Sequence, residues 1–313
     1  MPVNVRDSQD VYKGIGESVI FSTLQLKRAD AAAERAAVRD FAGLVPAVLR
    51  SLKIRCPGDR LKVAVGFGSD AWDRLFPGRP KPRQLEPFAG LGAGAVAMPA
   101  TAGDIFIHVR AQTEAVVYEV VSQIMGPLRA AVDVLDETHG FGYFEGRAII
   151  GFIDGTEGPD QDEAPEHALV GDEDPGFANG SYAFAQRWIH DLEDWNSRST
   201  EEQERQIGRA KFSDLELDDE AKAANAHNVV SQDNEGGVEH KIVRMNVPFA
   251  EPARNLAGTY FIGYSSDWAV TKRMLTSMVD NSDALFSFSR VETGALFFVP
   301  AKSLLAQIAD GEF

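Results

Sequence analysis

The order of strand-like and helix-like segments constrains this chain more than any other feature of its sequence. In residues 18–135, segments rich in β-branched and aromatic residues alternate with Ala- and Leu-rich segments whose apolar residues recur at helical spacing. Strands are predicted at residues 18–27, 61–66, 105–110 and 131–135, and helices at residues 31–51 and 113–125. This order is strand–helix–strand twice over, which favours an antiparallel α+β fold of the ferredoxin-like kind over a doubly wound parallel sheet.

A second series of the same kind follows in the C-terminal half. Strands are predicted at residues 181–189, 240–247, 259–264 and 295–299, and helices at residues 200–207 and 267–279. We therefore predict two ferredoxin-like halves with antiparallel sheets, an N-terminal domain at residues 1–140 and a C-terminal domain at residues 141–313. Residues 154–174 are crowded with Asp, Glu, Gly and Pro, so we expect them to form a long loop.

Charge and cysteine content narrow the classes of protein to which the chain can belong. With a net charge of −16, the 313-residue chain is poorly suited to bind nucleic acid or an anionic membrane. Its single cysteine, Cys56, cannot form an intrachain disulfide. Residues 1–16 lack the apolar run of a signal peptide, and no stretch reaches the ~18 apolar residues of a spanning helix. We expect a cytoplasmic protein.

The predicted strand at residues 240–247 brings two polar side chains to one face. Since side chains alternate along a strand, Val243, Met245 and Val247 point to one side. Arg244 and Asn246 point to the other side, next to each other. Two interpretations are open: an ordinary solvent-facing surface with a salt bridge, or a cation and an amide directed at an anionic or peroxidic ligand.

Two further positions are candidates for chemistry. None of the histidines has a second histidine or a cysteine at the spacing of a zinc site. A single histidine such as His227 suits haem better than a bare metal ion, because the porphyrin supplies the other nitrogen ligands of the iron. Asp154 follows an apolar run and precedes Gly155, which is also the pattern of an ordinary turn. The chain has neither a Walker lysine nor a Gly-x-Ser-x-Gly motif, so nucleotide-binding and serine-hydrolase functions lack support.

Several spaced motifs together resemble the dye-decolourising peroxidases, and more specifically their compact bacterial B-type members. The segment 151–157 (GFIDGTE) is similar to the Gly-x-x-Asp-Gly signature of that family. Further similar segments follow in the same order at residues 176–182, 186–188, 207–211, 242–244 and 259–261. The resemblance spans residues 18–299. It departs from the family at Gly158, where Asn is common, and at Ala210, where Thr is common.

The resemblance implies one haem b per chain, held in the C-terminal half with His227 as the axial ligand of the iron. It implies that Asp154, Arg244 and Asn246 are catalytic. Asp283 would accept a hydrogen bond from the axial histidine, although an Asp after Ser282 also suits a helix cap. Arg209 would pair with a haem propionate, although it could equally complement a helix dipole. The cofactor-binding residues implied are His227, Gly155, Thr156, Arg209, Arg244 and Asp283.

The function implied is that of a haem peroxidase. Such an enzyme uses hydrogen peroxide to oxidise dyes, phenolic compounds or metal ions in one-electron steps, and the family resemblance suggests a homo-oligomer, a dimer or higher. Bulky reductants would donate electrons through aromatic residues such as Trp188, Trp195, Tyr260 or Tyr264, for which packing is the alternative role. Two other functions stay open: a haem-handling protein that binds haem or porphyrin or releases iron with little turnover, and a haem-free ferredoxin-like binding module.

Overall fold

A computed structural model describes residues 3–12, 14 and 16–313 of the chain. The strands are β1 (Ser18–Leu26), β2 (Lys62–Gly68), β3 (Leu91–Ala93), β4 (Val96–Met98), β5 (Ile105–Ala111), β6 (Val132–Phe141), β7 (Ser181–His190), β8 (Asp233–Glu235), β9 (Val238–His240), β10 (Val243–Glu251), β11 (Leu256–Ser265), β12 (Ser289–Val291) and β13 (Ala295–Val299). The helices are α1 (Ala31–Arg55), α2 (Ser69–Leu75), α3 (Glu114–Ile124), α4 (Ala164–Ala168), α5 (Leu192–Ser197), α6 (Thr200–Ile207), α7 (His227–Val230), α8 (Trp268–Asp280) and α9 (Lys302–Asp310). Within the described part of the chain, no helix is both long and apolar enough to cross a membrane.

One antiparallel sheet joins the two halves of the chain. Its strand order is β10-β11-β7-β13-β2-β5-β1-β6, with β12 paired to β7. The C-terminal strand β13 lies between β7 and the N-terminal strand β2, and every residue of β13 is buried. The α+β fold with antiparallel, ferredoxin-like halves is confirmed, and the continuity of the sheet across both halves is an additional feature.

The sheet curls until its two end strands, β6 and β10, touch each other. Gly140 of β6 makes this approach possible, because a Cβ atom there would lie 2.4 Å from Val247 Cγ1 of β10. The curled sheet therefore encloses a core of its own, like a barrel. Phe21, Phe106, Tyr260, Tyr264 and Phe297 are fully buried in this barrel core.

Helices cover the outer surface of the sheet. Helix α1 packs against α3 and α9, and α3 packs against β1 and β5. The side chain of Asp30 caps α1 by accepting hydrogen bonds from the backbone nitrogens of Ala32 and Ala33, at 2.8 and 3.1 Å. On the C-terminal half, α8 packs over β11 and α7 packs against α8. This second group of helices and the sheet enclose the candidate site.

Two segments differ from the predictions. Residues 154–174 are not a loop throughout, because Ala164 and Ala168 lie on the buried side of α4 and pack on the barrel core. The predicted strand at residues 240–247 begins only at Val243. Residues 238–240 instead form a hairpin with residues 233–235, since Gly236 and Gly237 both adopt the positive φ that a tight two-residue turn requires.

Candidate active site

Strand β10 presents Arg244 and Asn246 to a cavity between the sheet and the helices of the C-terminal half. Val243, Met245 and Val247 of the same strand are buried in the barrel core. The predicted alternation is therefore present: one face of β10 is anchored by apolar packing, and the opposite face carries the two polar side chains. This anchoring gives Arg244 and Asn246 a rigid base.

Asp154 reaches the same cavity from a tight loop. Gly151 and Gly155 both have positive φ values, of 92° and 85°, which turn the chain on either side of the aspartate. The guanidinium of Arg147 holds this loop by donating to the backbone oxygens of Gly151 at 2.9 Å and Lys211 at 2.6 Å. Glycines on both sides of an aspartate are common in ordinary turns, and here they also direct the side chain of Asp154 into the cavity.

Asp154 and Asn246 form a paired hydrogen bond. The carboxylate of Asp154 accepts from the backbone nitrogen of Asn246 at 3.0 Å and from its side-chain Nδ2 at 2.6 Å. Loss of solvation raises the pKa of Asp154, while the bonds from Asn246 and the charge of Arg244 act against this rise. The same loss of solvation lowers the pKa of Arg244, whose Nη1 donates to the backbone oxygen of Ser231 at 3.2 Å. A carboxyl group that can exchange a proton thus lies beside a cation.

His227, the first residue of α7, lines the cavity from the helical side. Its Nδ1 lies 2.8 Å from Oδ2 of Asp283, whose side chain is completely buried. The other carboxylate oxygen of Asp283 accepts from the backbone nitrogen of Leu285 at 2.9 Å and caps the short 3₁₀ turn at Ala284–Ser287. Asp283 therefore both contacts the imidazole of His227 and caps the turn. Since Nδ1 is engaged, Nε2 of His227 is the nitrogen left for a ligand.

The cavity has the character expected of a haem pocket. It contains about 930 Å³ free of protein atoms, part of it open to solvent, and apolar side chains of α8 such as Met274, Leu275 and Met278 line one wall. Two buried polar atoms on lining residues, Gln186 Nε2 and Ser231 Oγ, have no hydrogen-bond partner among the described residues. A mainly apolar cavity with one histidine nitrogen and a few unsatisfied polar atoms fits a porphyrin with a single axial ligand.

Three of the predicted cofactor-binding residues lie beside this cavity instead of lining it. Arg209 Nη1 lies 2.5 Å from Glu157 Oε1, and its Nε lies 3.0 Å from Asp214 Oδ1. Thr156 donates its hydroxyl hydrogen bond to the other carboxylate oxygen of Asp214 at 2.6 Å. Gly155 contributes through its backbone, which hydrogen-bonds Asp154. These residues join the loop of Asp154 to the segment after α6.

Sequence reasoning missed the part of the cavity wall that β7 and β11 supply. Gln186, Trp188 and His190 alternate along β7, and Thr259 and Phe261 alternate along β11. Alternation alone could have grouped the residues within each strand. The cross-strand register, which pairs Asn246 with Phe261 and Phe261 with Gln186, could not be read from the sequence. That register brings the three strands together in one wall.

Comparisons with known proteins agree with this geometry. The Dyp-type peroxidase family models match residues 9–142 for the N-terminal part and 145–304 for the C-terminal part. A dye-decolorizing peroxidase of Mycobacterium tuberculosis is 44% identical over 278 residues, which are 86% of this chain and 82% of that protein.

Solved structures give the same picture. A dye-decolorizing peroxidase from Bacteroides thetaiotaomicron VPI-5482 has a TM-score of 0.90 and 44% identity, covering 96% of this chain and 98% of that chain. A DypB variant from Rhodococcus jostii RHA1 in complex with heme has a TM-score of 0.90 and 39% identity, with 96% and 98% covered. These relatives do not favour the haem-handling alternative. The chain belongs to the Dyp-type peroxidase family and is a haem-dependent peroxidase.

Proposed function

We propose that the cavity between β10 and α7 holds haem b with His227 as the axial ligand, and that Asp154, Arg244 and Asn246 promote the reduction of hydrogen peroxide. One observation carries this assignment. A single cavity is lined by a histidine whose free nitrogen is Nε2 and by a carboxyl group, a guanidinium and an amide from the sheet side. Bound haem supplies the iron at which peroxide is reduced and the electron storage for one-electron oxidations.

Asp154 moves the proton in this proposal. Peroxide must lose a proton from one oxygen and gain a proton on the other as the O–O bond breaks, and an ionised carboxyl group can carry that proton. Arg244 stabilises the negative charge that develops on the departing oxygen, because its guanidinium stays charged at any relevant pH. Asn246 holds the carboxylate of Asp154 through two hydrogen bonds and thereby sets its direction.

Asp283 acts through His227. A buried carboxylate that accepts from Nδ1 fixes the tautomer and the orientation of the imidazole and makes Nε2 a stronger electron donor. Asp283 is therefore a positioning residue in this proposal, and His227 is the residue that touches the cofactor.

The reductants, the assembly and the location are part of the same proposal. Phenolic compounds, dyes and metal ions are the reductants that the family resemblance supports. Exposed apolar side chains, among them Phe144 and Phe212, support a homo-oligomer, and light scattering of the haem-loaded protein tests this. The single, free cysteine supports a cytoplasmic location, which cell fractionation tests.

The assignment of the ligand and of the catalytic groups is tested by spectroscopy together with kinetics. Haem-reconstituted wild-type protein and His227→Ala are compared before and after one equivalent of hydrogen peroxide. We expect a ferric haem band that depends on His227 and that changes on addition of peroxide. Steady-state turnover of Asp154→Ala and Arg244→Ala is measured in parallel and should fall by about 10²-fold or more. A protein that only carries haem would lose almost nothing from either substitution.

A further inference from the structure

The buried methionines of the chain differ in what surrounds their sulfur atoms. The chain has six methionines, and those after Met1 have only 1–8% of their surface exposed: Met98, Met125, Met245, Met274 and Met278. Met274 and Met278 line the cavity of His227, and the other three of this group are buried away from it. A thioether is the side chain that peroxide oxidises to a sulfoxide. Two of the five sulfurs therefore border the cavity in which peroxide is reduced.

Met274 lies on the side of the cavity that carries the polar groups of the sheet. It belongs to one small apolar cluster with Ile242, and Phe261 packs against this cluster. Ile242 lines the cavity from the same segment as Arg244 and Asn246, and Phe261 pairs with Asn246 across β10 and β11. Met278 is one turn further along α8 and belongs to the large apolar cluster between the sheet and the outer helices. Of the two sulfurs, that of Met274 is therefore the better placed to meet the oxidant.

The wall beside Met274 offers a hydrogen-bond donor to an oxygen atom on its sulfur. Ser231 and Met274 both line a small recess next to Arg244. Ser231 is 2% exposed, and its hydroxyl oxygen has no hydrogen-bond partner among the described residues. A sulfoxide oxygen accepts hydrogen bonds, so the hydroxyl of Ser231 can donate to it. Such a bond reduces the free-energy cost of placing a new polar group in a buried position.

Oxidation of a thioether uses both oxidising equivalents of one peroxide. The sulfur gives up two electrons and forms a bond to one peroxide oxygen, and the O–O bond breaks. The other oxygen leaves as water with both hydrogens, so the products of one thioether and one peroxide are one sulfoxide and one water. The proton that moves between the two oxygens is the one that Asp154 carries in the proposed function. No reductant from solution is needed.

We propose that Met274 is a self-oxidation site, which takes up one oxygen atom from the peroxide-oxidised cofactor when no reductant is present. This inference rests on the proposed function, which supplies the oxidant. Met274 acts as an internal two-electron reductant and returns the cofactor to its resting state once per chain. A reductant in solution competes for the same oxidising equivalents and protects the sulfur. The sulfoxide makes this part of the cavity wall polar, since it replaces an apolar side chain by a polar one.

Mass spectrometry of the haem-loaded protein after treatment with peroxide tests the site directly. Met125 is the matched control within the same molecule, because it is 7% exposed against 8% for Met274 and packs in the core outside the cavity. Trypsin cleaves after Arg273, so Met274 and Met278 fall in one peptide, whose fragment ions separate them. Peroxide labelled with heavy oxygen reports the source of the added atom. Parallel samples contain excess ascorbate as reductant, or cyanide to occupy the iron.

Without reductant, we expect the sulfoxide of Met274 to form at least about tenfold faster than that of Met125 and to carry the labelled oxygen. Excess ascorbate should lower the yield at Met274 at least about tenfold, because it removes the oxidising equivalents first. Cyanide should lower the yield at Met274 to within about twofold of that at Met125, because only peroxide in solution then remains as oxidant.

Met274→Leu tests whether the sulfur acts as a reductant. Leucine keeps an apolar side chain of similar volume and removes the sulfur, and Met125→Leu is the matched control. After one equivalent of peroxide without reductant, the return of the haem spectrum to its resting form is followed by stopped flow. It should be at least about threefold slower in Met274→Leu and within about twofold of wild type in Met125→Leu.

Each part of the inference has a result that overturns it. Equal oxidation of Met274 and Met125, or oxidation of Met274 that persists with cyanide, would show that the cofactor does not oxidise this sulfur. A sulfoxide without the label would rule out oxygen transfer from peroxide, and an unchanged spectral return in Met274→Leu would rule out the role as reductant. Failure of the proposed function itself would appear earlier, as a wild-type haem spectrum that does not respond to peroxide at all.

Discussion

The carboxyl group of Asp154 combines a buried position with partners that stabilise its charge. As a proton acceptor it works only when ionised, so the rate of the reaction with peroxide should rise with pH through its raised pKa and fall at lower pH. Asp154→Asn should lower this rate by roughly 10²–10⁴-fold and remove the acidic limb of the pH profile. Stopped-flow measurement of the haem spectrum after mixing with peroxide, across a pH series, checks this.

Asn246→Ala is the variant to compare with Asp154→Asn. Its two hydrogen bonds favour the ionised form of Asp154, so Asn246→Ala should move the acidic limb to higher pH while leaving the limb in place. A limb that persists unchanged in Asp154→Asn would assign the titration to another group.

Asp283 has two roles that substitutions can separate. Asn at this position can still cap the turn by accepting from Leu285, but it removes the negative charge beside His227. We expect Asp283→Asn to raise the ferric/ferrous midpoint potential of the haem, since a less polarised imidazole donates less electron density, with little change in stability. Asp283→Ala should raise the potential and also lower the free energy of unfolding by about 1 kcal/mol, because the cap is lost. Spectroelectrochemistry and urea unfolding measure the two effects. An unaltered potential in both variants would contradict the coupling.

Sequence reasoning identifies individual site residues when their local pattern is distinctive. Alternation within one strand placed Arg244 and Asn246 on one face but left their role open, and the family resemblance implied the roles of all four residues Arg244, Asn246, Asp154 and His227, which line one cavity. His190 is different. It bonds Ser289 at 2.7 Å and Thr259 at 2.8 Å, which are 99 and 69 residues away in the sequence. Partners at such separations are determined by the pairing of strands, and no short pattern encodes them.

At the level of elements, closure of the sheet depends on the contact between β6 and β10. Gly140→Ala should lower the free energy of unfolding by about 1–3 kcal/mol, because the added methyl group would overlap Val247 and push the two strands apart. Gly58→Ala is the control, since no atom lies within 4 Å of a Cβ there, and it should change stability by less than about 0.5 kcal/mol. Urea unfolding followed by circular dichroism compares them. Equal stability of both variants would mean that the strands can separate at no cost.

Helices and strands are predictable from sequence where apolar residues recur with one clear period. They are harder to predict where the segment has few apolar residues or where its conformation is determined by a turn. The predicted helices at residues 31–51 and 267–279 correspond to α1 and α8, which bury continuous apolar stripes. Helix α5 escaped prediction because its six residues bury little except Trp195. The hairpin of β8 and β9 escaped because its strands are polar and only its glycine pair marks the turn.

At the scale of the whole molecule, the two ferredoxin-like halves are one structural unit through the shared sheet. Strand β13 follows all the other strands in the sequence, yet it pairs with β2 of the N-terminal half as well as with β7. The boundary between two domains at residues 140 and 141 therefore stays a prediction. The sheet forms only when strands from both sides of that boundary pair with each other. Local sequence patterns cannot predict such contacts, because the entropy lost in forming them and the register of the strands depend on the complete sheet.

Two buried histidines should make the stability of the whole molecule depend on pH. Burial lowers the pKa of His190 to about 4, and burial lowers the pKa of His108 well below 6.5. His190 is therefore neutral in the folded chain between about pH 4.5 and 6, and the lowered pKa of His108 favours its neutral form in the same way, whereas the unfolded chain protonates both below about 6.5. The unfolded state therefore binds more protons. His190 reduces the free energy of unfolding by about 1.4 kcal/mol per unit of falling pH, and His108 contributes with the same sign.

Comparison of variants isolates this contribution. Carboxyl groups with raised pKa values, those of Asp104, Asp136 and Asp154, act in the opposite direction, but they are common to every variant. We expect His190→Gln to decrease the slope of unfolding free energy against pH by about 1.4 kcal/mol per unit between pH 6 and about 5. His108→Gln should decrease the slope in the same direction, and the double variant should decrease it by the sum of the two effects. His139→Gln, at a half-exposed position on β6, is the control for loss of an imidazole outside the core. Urea unfolding of the haem-loaded proteins at several pH values measures the slopes. Parallel curves for wild type and the double variant would show that neither histidine stays neutral in the folded protein, and the hydrogen bonds from His190 to Ser289 and Thr259 would then have to involve an imidazolium.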